Sequence, residues 1–161
     1  MSNILLQFLK TSILFFLRLK NLGSMPDCIF CKIVDGGIPI DEAKIFEDDQ
    51  LIVFLDQLPV HPGHTLITTK KHYANLEETP EEDLVAIIKM VKKVGKIIKD
   101  NLGYEGYNVV VNNDPVALQT VEHSHFHVVP RVANDGFRFL KQKEYKEGER
   151  EEYLKKIKEA F

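Results

Sequence analysis

Three of the six histidines in this 161-residue chain fall within five positions, at His123, His125 and His127. In an extended strand alternate side chains share a face, so all three imidazoles point the same way, roughly 6.6 Å apart at about 3.3 Å per residue. Three such groups on one face cannot be buried without shared polar partners. Two chemistries suit them. A neutral imidazole is a nucleophile near pH 7, and alternate histidines can equally ligate zinc, as in hydrolases. The chain's two cysteines, Cys28 and Cys31, stand at i and i+3, which places both thiols on one side of a short helix or turn. They are too few for a disulfide scaffold, and metal binding or simple burial are the better readings.

The elements that must position these groups are legible in outline. Asp27 caps a short helix through Cys28 and Cys31 that stops at Gly36 and Gly37. The runs AKIFED and QLIVFLD read as a hairpin turning at Asp48 and Asp49, and HTLITTK resumes as a strand after the Pro and Gly of LPVHPGH. A long helix begins with Thr79 as cap, Pro80 at its first position and Glu82 at the capping-box site. Its apolar stripe is Leu84, Ile87, Ile88, Val91, Val94 and Ile98, with Gly103 as its stop. YNVVVNN and EHSHFHVVPR follow as strands, the second closed by Pro130, and the Lys- and Glu-rich tail from Lys141 forms a solvated helix.

A hydrophobic content of 44% supports one domain with a real core. Residues 1–24 differ from the rest: they carry Lys10, Arg18 and Lys20, no acid, and many Leu, Ile and Phe. Apolar runs broken by Lys10 and Arg18 do not make a membrane-spanning helix. An organelle-targeting segment and a dispensable extension both fit, so the domain proper is 25–161 and cytoplasmic residence is the default expectation. Beyond residue 24 there are 18 basic against 24 acidic residues, a balance of about -6, which gives no generic attraction for a nucleic acid polymer.

The segments CIFCKIV, FLDQLPVHPGHTLITTKKH and QTVEHSHFHVVPR, in that order and spacing, resemble the histidine-triad family of nucleotide hydrolases and transferases, over roughly residues 27–131. The resemblance implies an α+β fold with a five-stranded antiparallel sheet and helices, paired into a homodimer with one continuous larger sheet. It implies that His125 attacks the α-phosphorus of a nucleotide, with a backbone carbonyl on its own strand holding the other ring nitrogen as N–H. His127 and His64 match contacts to the phosphate and leaving group. Gln119 and Thr120 match hydrogen-bonding residues near the scissile oxygen. Asp56 matches the ribose-binding acid, and Asn112 a contact to phosphate or sugar. Cys28, Cys31, His72 and His123 resemble the structural zinc site of many bacterial and archaeal members, a closed four-ligand set.

Candidate substrates are dinucleoside polyphosphates and nucleoside phosphoramidates. The competing readings are a nucleotide-binding regulatory module without useful turnover, and a zinc hydrolase in which the triad holds the metal. Two departures from the family bear on this choice. Leu118 stands where the family has Gly, so its side chain is expected to crowd the phosphate loop. Glu122 and Ser124 stand where apolar residues are usual, with Glu122 expected on the strand face opposite the triad.

Overall fold

The computed structural model describes Met25, residues 27–137 and residues 142–161. The N-terminal extension 1–24 lies outside the described residues. Helix α1 (Ile29–Val34) is followed by strands β1 (Lys44–Glu47), β2 (Leu51–Leu55) and β3 (Thr65–Thr69), the long helix α2 (Glu81–Asp100), strand β4 (Gly106–Val111), a short 3₁₀ turn at Pro115–Ala117, strand β5 (His125–Arg131) and helix α3 (Glu149–Ala160). The strands form one five-stranded antiparallel sheet in the order β1-β2-β3-β5-β4. Among the described residues no helix is long and apolar enough to cross a membrane.

Strand alternation assigns each residue to one of two cores. Leu51, Val53, Ile67, Phe126 and Val128 pack with Ile87, Val91, Val94 and Ile98 of α2. Their neighbours Ile52, Phe54 and Leu66 face the other way, against Phe30 of α1. Because His125 and His127 alternate with Phe126 and Val128, they emerge on the α1 face of the sheet. The sheet therefore carries its main hydrophobic load on one side and these two histidines on the other.

The hairpin forms as read, with Asp48 Oδ1 accepting from the N–H groups of Gln50 (2.9 Å) and Leu51 (2.7 Å), an Asx turn that closes β1 onto β2. Helix starts differ from the sequence expectation. α1 begins after Cys28 with no side-chain cap, so Asp27 lies in the preceding turn. α2 begins after Pro80 without a side-chain cap, because Thr79 Oγ1 donates instead to Asn75 O at 2.8 Å. Three acids in its first turn, Glu81, Glu82 and Asp83, still complement the helix dipole. Ile88 is exposed rather than part of the buried stripe, and its place in the interface is taken by Gly95. β5 starts at His125 and runs through Pro130 to Arg131, where pairing with β3 has already ended at Val128. The tail helix is solvated as expected, with no buried residue, although it starts at Glu149 rather than near Lys141.

Gly95 marks the closest approach of α2 to the sheet. A Cβ there would lie 2.5 Å from both Cε1 and Oη of Tyr107 on β4. Replacing a mid-helix glycine with alanine normally stabilises by about 0.5–1 kcal/mol; here overpacking reverses the sign, with a typical cost of about 1–3 kcal/mol. Gly95→Ala is therefore expected to lower the midpoint of thermal unfolding, and a raised midpoint would show that Tyr107 can swing away freely.

Candidate active site and metal cluster

The β2–β3 connection and the start of β5 meet on the α1 face. The connection is closed at its base by Asp56 N–H to His64 O at 2.9 Å. Gly63, at φ 88°, makes the turn in a left-handed conformation, and a Cβ there would lie 3.2 Å from Leu102. Within it, Leu58 N–H donates to Asp56 Oδ1 at 2.9 Å and Val60 N–H to His64 Nδ1 at 3.3 Å. These bonds turn Asp56 and His64 toward β5. His64 Nε2 lies 3.0 Å from His127 Nδ1, and Asp56 Oδ2 lies 3.5 Å from His64 Nδ1 and 4.0 Å from His127 Nδ1.

His125 is held from its other side. Its Nδ1 is 2.6 Å from the backbone carbonyl oxygen of His123, an acceptor that fixes the proton on Nδ1 and leaves the Nε2 lone pair outward. The edge of Phe30 packs on the same ring at 5.1 Å between centroids, and His127 lies 4.9 Å away. Burial pushes the His125 pKa below its ordinary value against the opposing carbonyl bond and Asp56 charge. His127 is pushed down to about 4, first by burial and then by its neighbours His125 and His64. Burial also lowers His64, with Asp56 opposing. The arrangement at neutral pH is three uncharged imidazoles facing one carboxylate, which favours nucleophilic and proton-transfer chemistry over simple charge pairing.

The loop between β4 and β5 brings together the remaining expected residues by bonds of its own. Gln119 is buried, accepting from Asp114 N–H at 2.8 Å and donating to Ala74 O at 2.6 Å. Its amide therefore anchors the loop to the segment before α2. Asn112 Nδ2 donates to Leu118 O at 3.3 Å, and Thr120 is exposed. Leu118 takes the left-handed conformation, φ 70°, and its side chain is 76% exposed. It keeps the loop path that glycine would take, at a cost of about 1–2 kcal/mol, and turns outward instead of crowding the loop. Glu122 is exposed in the bend before β5 rather than on the far face of the strand. Ser124 is buried, and its hydroxyl has no partner among the described residues. Nothing in the structure explains that choice.

The second cluster adjoins His125 through His123. Cys28, Cys31, His72 and His123 place one ligand atom each within 4.8 Å of all the others. Cys28 Sγ is 3.4 Å from His123 Nδ1, and Cys31 Sγ is 3.4 Å from His72 Nδ1 and 3.7 Å from His123 Nδ1. With Zn–S near 2.3 Å and Zn–N near 2.0–2.1 Å, a regular tetrahedron has S···N edges of about 3.6 Å, so the donor set matches tetrahedral zinc in type and spacing. His123 Nε2 lies 2.9 Å from Thr69 O, which places the proton there and frees Nδ1 to face the thiols, the outer-shell bond expected of a ligating histidine.

The sequence left His61 and Arg131 without a role. Arg131 holds the Asp135 carboxylate through Nε at 2.5 Å and Nη2 at 2.6 Å, and Asp135 lies 3.4 Å from His61 Nε2. Tyr104 Oη donates to Pro62 O at 2.7 Å. The loop carrying Asp56 and His64 is thus tied down from outside. Only the i, i+4 spacing of Arg131 and Asp135 hinted at this, and such pairs are usually mere surface contacts. Phe30, inside CIFC, also had no role in the sequence reading, yet its ring packs against His123, His125 and Phe54.

The carbonyl contact makes a spectroscopic expectation. Imidazole nitrogen NMR should show His125 protonated at Nδ1 and unprotonated at Nε2 in the resting protein; the opposite tautomer would mean that the free lone pair points into the strand.

Comparison with known proteins agrees with this geometry. The HIT domain family matches residues 39–134. An uncharacterized HIT-like protein from Methanocaldococcus jannaschii is 47% identical, over 81% of this chain and 98% of its own length. An adenosine 5'-monophosphoramidase from Schizosaccharomyces pombe is 44% identical, over 65% of this chain and 74% of its own. The crystal structure of a zinc-bound histidine triad family protein from Mycobacterium smegmatis superposes with a TM-score of 0.65 at 34% identity, covering 86% of this chain and all of that one. On sequence, fold and site together, the chain belongs to the histidine-triad family.

Proposed function

We propose that the protein is a hydrolase or transferase acting at the α-phosphorus of a nucleoside 5'-phosphoryl substrate, through a nucleotidyl intermediate on His125. The observation that carries this reading is the 2.6 Å bond from His125 Nδ1 to the His123 carbonyl, which holds a buried, neutral ring with Nε2 ready to attack. In the first step Nε2 forms a bond to phosphorus and the bond from phosphorus to the leaving nitrogen or oxygen breaks. The leaving group takes up a proton relayed from solvent through the hydrogen-bonded His64–His127 pair, which stays neutral. In the second step water attacks the same phosphorus, the N–P bond breaks, and the proton that water loses passes back through the pair to solvent. Asp56 accepts from the ribose hydroxyls, Asn112 and Thr120 reach the phosphate or sugar edge, and Gln119 fixes the loop that carries them. The amidase activity named for the fission-yeast relative supports nucleoside phosphoramidates as one substrate class, with dinucleoside polyphosphates as the other.

Structural zinc on Cys28, Cys31, His72 and His123 belongs to the same reading. A metal there supplies an anchor rather than an open catalytic position. His123 would be a ligand through its ring and the acceptor for His125 through its backbone, so the anchor is transmitted directly to the nucleophile. A homodimer with a sheet continued across an edge strand, and cytoplasmic residence with residues 1–24 dispensable or targeting, complete the proposal. β1 and β4 are the two edges, and β4 exposes Val109.

Three outcomes test it. His125→Ala should abolish turnover, as loss of a catalytic nucleophile does, while nucleotide binding weakens by only about 1–3 kcal/mol. Wild-type protein quenched during turnover should carry an acid-labile nucleotide on the His125 peptide. Comparable rates for variant and wild type would put the metal-hydrolase reading ahead. Protein purified without chelators should hold about one zinc per chain, lost when Cys28 and Cys31 are both changed to Ser. Full zinc retention in that double variant would remove the thiolates from the site.

A further inference from the structure

We propose that Asp56, His64 and His127 form a second divalent-cation site, separate from the Cys and His cluster and lying on the reaction site itself. One ligand atom from each of the three lies within 4.8 Å of the others. His64 Nε2 and His127 Nδ1 are 3.0 Å apart, close to the edge of a coordination polyhedron with metal–nitrogen bonds of about 2.0–2.1 Å, which runs from about 2.9 Å at a right angle to about 3.3 Å in a tetrahedron. Asp56 Oδ2, 4.0 Å from His127 Nδ1 and 3.5 Å from His64 Nδ1, has to move toward the pair to complete the set.

The donor set is two imidazoles and one carboxylate on one side of the ion, an arrangement that suits zinc, cobalt, manganese or ferrous iron and leaves coordination positions open. The Leu58 N–H on Asp56 Oδ1 orients the carboxylate without using Oδ2. Ligation through His64 Nε2 moves the ring proton to Nδ1 and gives up the 3.3 Å bond that Val60 N–H makes there. His127 and Asp56 are 19% and 20% exposed while His64 is 4% exposed. The floor of the site is therefore closed and its mouth is open to an ion from solvent.

A cation there occupies the imidazole nitrogens that serve the phosphate and leaving group. It also replaces the hydrogen bond between them. On the nucleotide reading above, the ion is a competitive inhibitor, and excess transition metal switches the enzyme off through a site that the structural metal does not touch.

The test is a Co²⁺ titration of the full chain as purified, followed by absorption and by bound metal per chain. The expected result is one equivalent beyond the thiolate site, without thiolate-to-metal charge-transfer bands. Asp56→Asn and His127→Gln should each weaken it by at least the roughly tenfold to hundredfold lost when the surroundings of a metal ligand are disturbed, and AMP should compete with it. No uptake beyond the thiolate site, charge-transfer bands on the second equivalent, or unchanged affinity in both variants overturns the proposal. A second equivalent that responds to the variants but not to AMP supports the site and counts against the nucleotide reading instead.

Discussion

Everything at this site depends on one hydrogen bond, from His125 Nδ1 to the carbonyl oxygen of His123. It spans two residues of the same chain, so its geometry is set by how His123 enters β5. His123 is gripped at three points: its ring faces the Cys28 and Cys31 thiols through Nδ1 and Thr69 O through Nε2, and its own N–H reaches Val121 O at 2.8 Å. A buried polar group so held has few alternative arrangements, since each lost partner leaves a desolvated donor or acceptor costing about 1–3 kcal/mol. The orientation of the His125 ring is thus a consequence of packing and pairing rather than of its own rotamer preference.

The two-sided sheet explains why such a polar face is tolerated. The α2 face gathers most of the aliphatic core and supplies the greater part of the hydrophobic stabilisation, at about 25 cal/mol per Å² of apolar area buried. Among the described residues the buried apolar cluster of the α1 face is the smaller one, Phe30, Ile52, Phe54 and Leu66. That small cluster shields the imidazoles enough to lower their pKa values while leaving His127 and Asp56 partly open. Desolvation and access are balanced on one side of one strand pair, a compromise that a fully buried or fully exposed face would not allow.

Much of this was legible in the residues. Alternation at His123, His125 and His127 gave a common face, and the Asp48 turn and the stripe through Ile87, Val91, Val94 and Ile98 gave the hairpin and the packed helix. What escaped were interactions whose partners are far apart in sequence. Gln119 reads as a donor to substrate until Ala74 O and Asp114 N–H are found on its amide. Thr79 reads as a helix cap until its hydroxyl is found on Asn75 O. Ile88 fits the helical period but is exposed, while Gly95 is buried against Tyr107 of β4. Side-chain amides and hydroxyls have several local options of similar energy, so sequence alone does not choose among them.

The central claim, that reaction at phosphorus proceeds through His125 as a covalent nucleophile, is tested most directly by the stereochemical course at that atom. A substrate made chiral at the α-phosphorus by sulfur substitution, hydrolysed in isotopically labelled water, records one inversion for each in-line displacement. Two displacements, to the histidine and then to water, predict overall retention of configuration. Overall inversion would mean that water attacks the substrate directly, and the nucleophilic role of His125 would be contradicted.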